Sequence, residues 1–140
     1  MAVFGLQGPE NFNLSKAGLA LDGYDVVTYF TKSEPSKGKK EIKVQRDGVT
    51  YLFASEENKK KFQANPENYN VAYGGWCAYA IGETGEKVKV DPETYKIIED
   101  RLYLFYNFWG NNTLKEWNKR ETELKSSADN NWLNILKSNE

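Results

Sequence analysis

Residues 41–53 read EIKVQRDGVTYLF, two runs of alternating apolar and polar residues around Asp47-Gly48. A two-residue turn of this kind needs positive φ at both central positions, which glycine accepts freely and aspartate tolerates. The register that follows sets Arg46 opposite Val49, Val44 opposite Tyr51 and Ile42 opposite Phe53. Opposed residues share a face, so Ile42, Val44, Tyr51 and Phe53 make one apolar surface. An isolated hairpin is marginal in water, so its neighbours must cover that face.

The cover is legible on the C-terminal side. Ser55 caps a helix with Glu56 and Glu57 in its first turn and Lys59 to Lys61 further along, an order that suits the helix dipole. Phe62 is its buried anchor and Asn65-Pro66 ends it, with Pro66 opening a second short turn near Tyr69. Upstream, LDGYDVVTYF offers a turn at Asp22-Gly23 and then a β-branched, aromatic run from Val26 to Phe30 that reads as a strand.

Downstream, Lys87 to Val90 reads as a short strand and Asp91-Pro92 as a turn. Lys96 to Phe105 reads as a second hairpin turning near Glu99-Asp100-Arg101, where Asp100 tolerates left-handed backbone. Thr113 and Glu116 form a capping box. Leu114, Trp117, Leu124 and Ala128 then share one helical face, and Ser127 restarts or bends the helix before Trp132, Ile135 and Leu136. The fold class is α+β: a small, mostly antiparallel sheet from two β-hairpins, a short central helix, and a C-terminal helical segment packed on it. Residues 1–20 form an irregular lead-in, 21–109 the α+β core and 110–140 the helical segment.

Composition narrows the function. Nineteen basic and twenty acidic residues nearly cancel in a chain of 140. No overall charge recommends nucleic acid as a partner. No run approaches the ~20 apolar residues of a membrane span. The start, MAVFGLQGPENFNLS, shows neither a basic n-region nor an apolar h-region, so no secretory signal is visible.

The chain has one cysteine and no histidine. Cys77 follows Tyr73-Gly74-Gly75-Trp76 and precedes Tyr79, and it admits three readings: a catalytic thiol, a metal ligand, or a small residue filling a crowded turn. A cysteine nucleophile ordinarily relies on a histidine base. Copper(I) asks for two or more soft ligands and zinc for Cys, His and carboxylate, so a metal at Cys77 would need carboxylates, Met1 or a second chain. Asp22, Asp25 and Asp91 are explained by turn and capping hydrogen bonds. The abundant Tyr and Trp rings exceed what so small a core can hide, which points to a groove. Gly74 and Gly75 permit close backbone approach, so the candidate ligand site is Tyr73, Gly74, Gly75, Trp76, Cys77 and Tyr79, with Cys77 as the candidate metal ligand.

The stretch DGVTYLFASEENKKKFQANPENY resembles the core of the YHS domain: a glycine turn, an aromatic strand, a serine, a short helix, then Phe and Asn-Pro-Glu-x-Tyr. Those landmarks are Gly48, Tyr51, Phe53, Ser55, Phe62, Asn65, Pro66, Glu67 and Tyr69. GYDVVTYF upstream, and YGGWCAYAIGETGEKVKVDPETYKI, LYLFYN and ADNNW downstream, are similar to the longer bacterial YHS-domain proteins that stand alone. The resemblance runs from Leu21 to Trp132. It implies binding of a soft or transition metal, copper or zinc, and an exported protein, periplasmic or secreted. The metal-binding versions carry Cys-Ser-x-x-Cys at the start of the short helix; this chain has Ala54 and Asn58 at those positions. The expected function is a non-catalytic binding module for a small ligand or metal near Cys77. The alternatives are an accessory that presents an aromatic surface to a protein partner and, third, a thiol-dependent enzyme.

Overall fold

The computed structural model describes residues 9–138. The two hairpins, the short central helix and the C-terminal helices are all present, and the fold is α+β. Strands β1 (Lys39–Arg46) and β2 (Val49–Phe53) pair antiparallel across a turn with φ of 55° at Asp47 and 83° at Gly48. Arg46 faces Val49 and Val44 faces Tyr51 as expected, but Ile42 does not face Phe53. The ladder shifts register between Lys43 and Lys39, which brings Lys39 opposite Phe53. Such a bulge bends the strand, and a pairing rule read outward from the turn cannot anticipate it.

Val26 to Phe30 is not a strand. Helix α1 (Val26–Thr31) begins there, with the Asp25 carboxylate accepting the Val27 N–H at 2.8 Å. A short apolar run has no period that separates strand from buried helix. Here Val26, Val27, Thr28 and Tyr29 are all buried, and cap and burial together outweigh the few tenths of a kcal/mol per residue by which β-branched side chains disfavour helix.

Helix α2 (Glu56–Ala64) is capped by the Ser55 hydroxyl, which accepts the Asn58 N–H at 3.1 Å, and a 3-10 turn follows at Pro66–Tyr69. Strand β3 (Asn70–Val71) and helix α3 (Ala78–Glu83) come next. The expected strand at Lys87 to Val90 is absent. That segment is irregular, and β4 (Asp91–Ile98) begins where a turn was expected. Asp91 keeps its turn-like chemistry all the same: its carboxylate accepts from the Glu93 N–H and the Thr94 hydroxyl within an irregular start to the ladder.

Strand β4 turns through Glu99 and Asp100, both with positive φ, into β5 (Arg101–Phe105). The two hairpins do not share one sheet as expected: β1 and β2 form a sheet of their own, and β4 and β5 lie in another of order β3-β5-β4, with β3 parallel to β5. Central β5 is buried on both faces. Leu102 and Leu104 enter a core with the first hairpin, α1 and Phe62 of α2. Tyr103 and Phe105 enter a second core with α3 and the C-terminal helices. Period-two alternation thus ties the two cores to one strand.

After a small hairpin of β6 (Asn107–Phe108) and β7 (Asn111–Asn112) come α4 (Thr113–Lys119) and α5 (Glu121–Ser138). The cap of α4 is Asn112, not Thr113: Asn112 accepts the Leu114 N–H, while the Thr113 hydroxyl donates to the Tyr106 carbonyl at 2.7 Å. Arg120, not Ser127, marks the break between helices. Trp117, Leu124 and Ala128 are buried as expected. Helix α5 lies close on α3 at Gly82, where a Cβ would stand 2.7 Å from the Leu124 carbonyl oxygen.

Candidate functional site

The Gly74-Gly75 turn is a point of close backbone approach, but the neighbour is this chain itself. Tyr73, Gly74 and Gly75 have φ of 55°, 60° and 88°. A Cβ on Gly74 would lie 2.9 Å from the Asn11 carbonyl oxygen and 3.0 Å from the Trp132 ring. The Gly74 carbonyl accepts the Asn13 N–H at 2.9 Å, and the Gly75 carbonyl accepts the Asn13 side-chain amide at 3.1 Å. The Trp76 indole N–H donates to the Asn11 carbonyl at 2.8 Å. These groups fasten the lead-in to the core. Tyr73 serves the other side: its hydroxyl donates to Asp129 of α5 at 2.7 Å, and burial first, then that bond, holds its phenol well above the ordinary tyrosine range.

Cys77 is fully buried at the start of α3. Its N–H donates to the Val88 carbonyl at 2.9 Å, and its sulfur lies 3.5 Å from the Thr113 hydroxyl. Tyr79 is half-buried beside the second core. The structure therefore brings the six expected site residues together around packing contacts; of two surface openings of about 330 and 200 Å³, Gly75 lines the smaller and Cys77 lines neither. Buried thiols react only when the fold opens. Cys77 in the native protein is expected to resist a thiol reagent such as DTNB and to react stoichiometrically in denaturant; rapid labelling of the native chain would refute that burial.

A different set of rings lines the larger opening, a groove of about 330 Å³. It lies between the first hairpin and the Pro66–Tyr69 turn. Tyr51, Phe62 and Tyr69 form its aromatic wall, with Val49 and Val71 beside them and Phe12 from the lead-in. Phe62 ties the wall together, its ring centroid 4.7 Å from Tyr51 and 6.2 Å from Tyr69. Arg46, Asp47 and Glu67 supply charge at the rim. Burial raises the Tyr51 phenol, with Arg46 pulling the other way. The phenol therefore stays a neutral donor.

Residues 27–73 match the family model of the YHS domain. Over that stretch, about a third of the chain, the protein is similar to the YHS domain. The match takes in the first hairpin, α2 and every groove residue except Phe12, and it ends before Cys77. Searches of curated proteins and of solved structures each found no match.

Metal binding is the role associated with the YHS domain, and the residues of this one do not fit it. The backbone N–H of Ala54 and the side-chain amide of Asn58, at the positions where metal-binding versions carry sulfur, both donate to Asp25 Oδ2 at 2.8 Å. Asp25 Oδ1 takes the Val27 N–H. At this place Ala54 and Asn58 turn N–H donors inward rather than lone pairs, and the one carboxylate is already enclosed by donors. Among the described residues no group of three His, Cys, Asp or Glu could hold a metal ion. Met1 lies outside the described residues. A Cys77 pair shared by two chains would need a fully buried sulfur to reach the surface.

The groove was only half legible. Tyr51 and Tyr69 stand among the rings that exceed the core, but the glycine pair drew the expected site toward Trp76. The available signal was the shared hairpin face of Val49 and Tyr51, continued by Phe62 and the Tyr of the Asn-Pro-Glu-x-Tyr segment.

Proposed function

We propose that this protein is a non-catalytic binding module whose site is the aromatic groove of its YHS domain. It takes a small, flat, ring-bearing ligand. The observation that carries this reading is the wall of Tyr51, Phe62 and Tyr69 under a rim with charges of both signs. At about 330 Å³ the groove sits at the small end of ligand sites, which run from ~300 to ~1,000 Å³. One ring system fills it. Offset or edge-on ring contacts supply affinity, and Arg46 adds a cation over the π face or a partner for an anionic substituent.

Indole is the simplest probe. Titrated into the 15N-labelled protein, it is expected to shift amide resonances saturably at Tyr51, Tyr69, Asn70 and Val71. Tyr69→Ala should weaken binding roughly tenfold, the loss of one good ring contact. Saturable shifts centred on Trp76 and Tyr79 instead, or none up to the solubility of indole, would overturn the assignment.

A further inference from the structure

The four tryptophans are used in different ways. Trp117 is fully buried, Trp76 hydrogen-bonds the lead-in, and Trp132 packs on Tyr73, but Trp109 is 94% exposed. It occupies the first position of the two-residue turn between β6 and β7, with φ of 57° there and 77° at Gly110. Such turns favour Asn-Gly or Asp-Gly, and a bulky aromatic residue is among the least suited to left-handed backbone. Backbone strain and an exposed indole therefore coincide at one residue, with no contact inside the described chain to offset either. Strain held at an exposed position is a pointer to function rather than to packing.

The hairpin that carries Trp109 is firmly held. The Asn107 side-chain amide donates to the Thr94 hydroxyl at 3.0 Å. The Tyr106 carbonyl accepts both the N–H and the hydroxyl of Thr113, at 3.0 and 2.7 Å. The Phe108 ring packs edge-on to Tyr106 at 5.0 Å, under the Lys89 ammonium at 4.9 Å. An anchor presented this way loses little freedom on binding.

Strand β5 separates this knob from the groove. Asn70, which lines the groove, pairs with Arg101 at the start of β5, and the Trp109 hairpin follows its end. Six residues of extended chain from Arg101 to Asn107 span about 20 Å. Trp109 cannot reach the groove of its own chain, but it can reach that of another. We infer that the groove receives Trp109 of a second copy of this chain, joining copies head to tail. The inference rests on the groove being a ring-binding site, and it names an occupant with the required chemistry: an uncharged, flat indole that meets Arg46 at the rim. The contact is heterologous, so it builds open chains or rings rather than a closed two-fold dimer. One indole and its surround bury less than the ~1,200 Å² of a stable complex, which makes the association weak and concentration-dependent.

Sedimentation equilibrium tests this on the full chain. Between roughly 10 µM and 1 mM, the range that weak contacts occupy, the weight-average mass is expected to climb above the monomer's 16.1 kDa. Trp109→Ala removes the knob. Asn70→Trp at an exposed rim position fills the hole without touching the core. Each variant alone should remain monomeric, with its thermal unfolding unchanged or, for Trp109→Ala, improved. An equimolar mixture should form a 1:1 complex that grows no further, because one variant supplies only the hole and the other only the knob. Indole should dissociate the wild-type assemblies. A wild-type protein monomeric throughout, equal self-association by Trp109→Ala, or a mixture that stays monomeric would each overturn the inference. Indole titrated into Trp109→Ala separates the two readings. Binding there with no wild-type association sinks the head-to-tail contact alone, whereas no indole binding sinks the groove as well.

Discussion

Asp25→Ala is expected to remove about 3–5 kcal/mol of folding stability, the scale of a broken buried polar network. Asp25 is fully buried, and its carboxylate accepts three hydrogen bonds of 2.8 Å: from Val27, from Ala54 and from the Asn58 side chain. Those donors come from three separate parts of the chain. Val27 lies in α1, Ala54 follows the first hairpin and Asn58 lies in α2. Alanine would leave all three unpaired in the core, each at about 1–3 kcal/mol before relaxation or entering water reduces the sum. Asp25→Asn preserves volume but turns one acceptor into a donor facing other donors, so it should lose most of the same stability. Urea unfolding followed by circular dichroism measures both. A change below about 1 kcal/mol for Asp25→Ala would mean that water substitutes for the carboxylate.

This network also explains how the YHS-like segment holds together with Ala54 and Asn58 at the start of its short helix. Ala54 and Asn58 are joined through one carboxylate, so hydrogen bonding alone clamps the end of the first hairpin to α2. Removing divalent or soft metal with a chelator should accordingly leave the unfolding midpoint unchanged.

Local signals were legible and long-range ones were not. Asp47-Gly48 and Ser55 announce their turn and cap because the determining atoms lie within three residues of one another. Asp25 reads locally as a turn or cap residue, and it is the cap of α1. Its larger role depends on Asn58, 33 positions away. Gly74 likewise signals close approach, yet only tertiary structure shows that Asn11 and Trp132 are what approaches. The groove follows the same rule, since Phe12 and the segment from Arg46 to Val71 meet only after folding. Trp109 is one of the Tyr and Trp rings too numerous for the core to hide. Its turn went unread because tryptophan is a poor signal for left-handed backbone.

Trp117→Ala is the second large loss, again about 3–5 kcal/mol, for a fully buried indole whose site cannot collapse. Its ring centroid lies 5.7 Å from Tyr103 and 5.5 Å from Phe105, so α4 is fixed to β5 through it. Against a typical total of roughly 5–15 kcal/mol, this is a large share of the stability and should lower the thermal midpoint by roughly 10–20 °C; a melt displaced by only a few degrees would contradict this. Trp117→Phe isolates the polar part of the interaction, because the indole N–H donates to Glu121 Oε1 at 3.0 Å. The Lys96 ammonium is the main reason that the Glu121 carboxyl sits below its ordinary value; burial opposes the shift and Trp117 assists it. A carboxylate depressed in the folded state contributes stability above its unfolded pKa and loses it as pH falls through the folded one. The deficit of Trp117→Phe relative to wild type should therefore be full at neutral pH and shrink on acidification, once Glu121 is protonated and the wild-type bond loses its charge. Urea midpoints of both proteins at pH values above and below the carboxylate range read this directly, and a deficit constant across that range would assign the whole loss to packing.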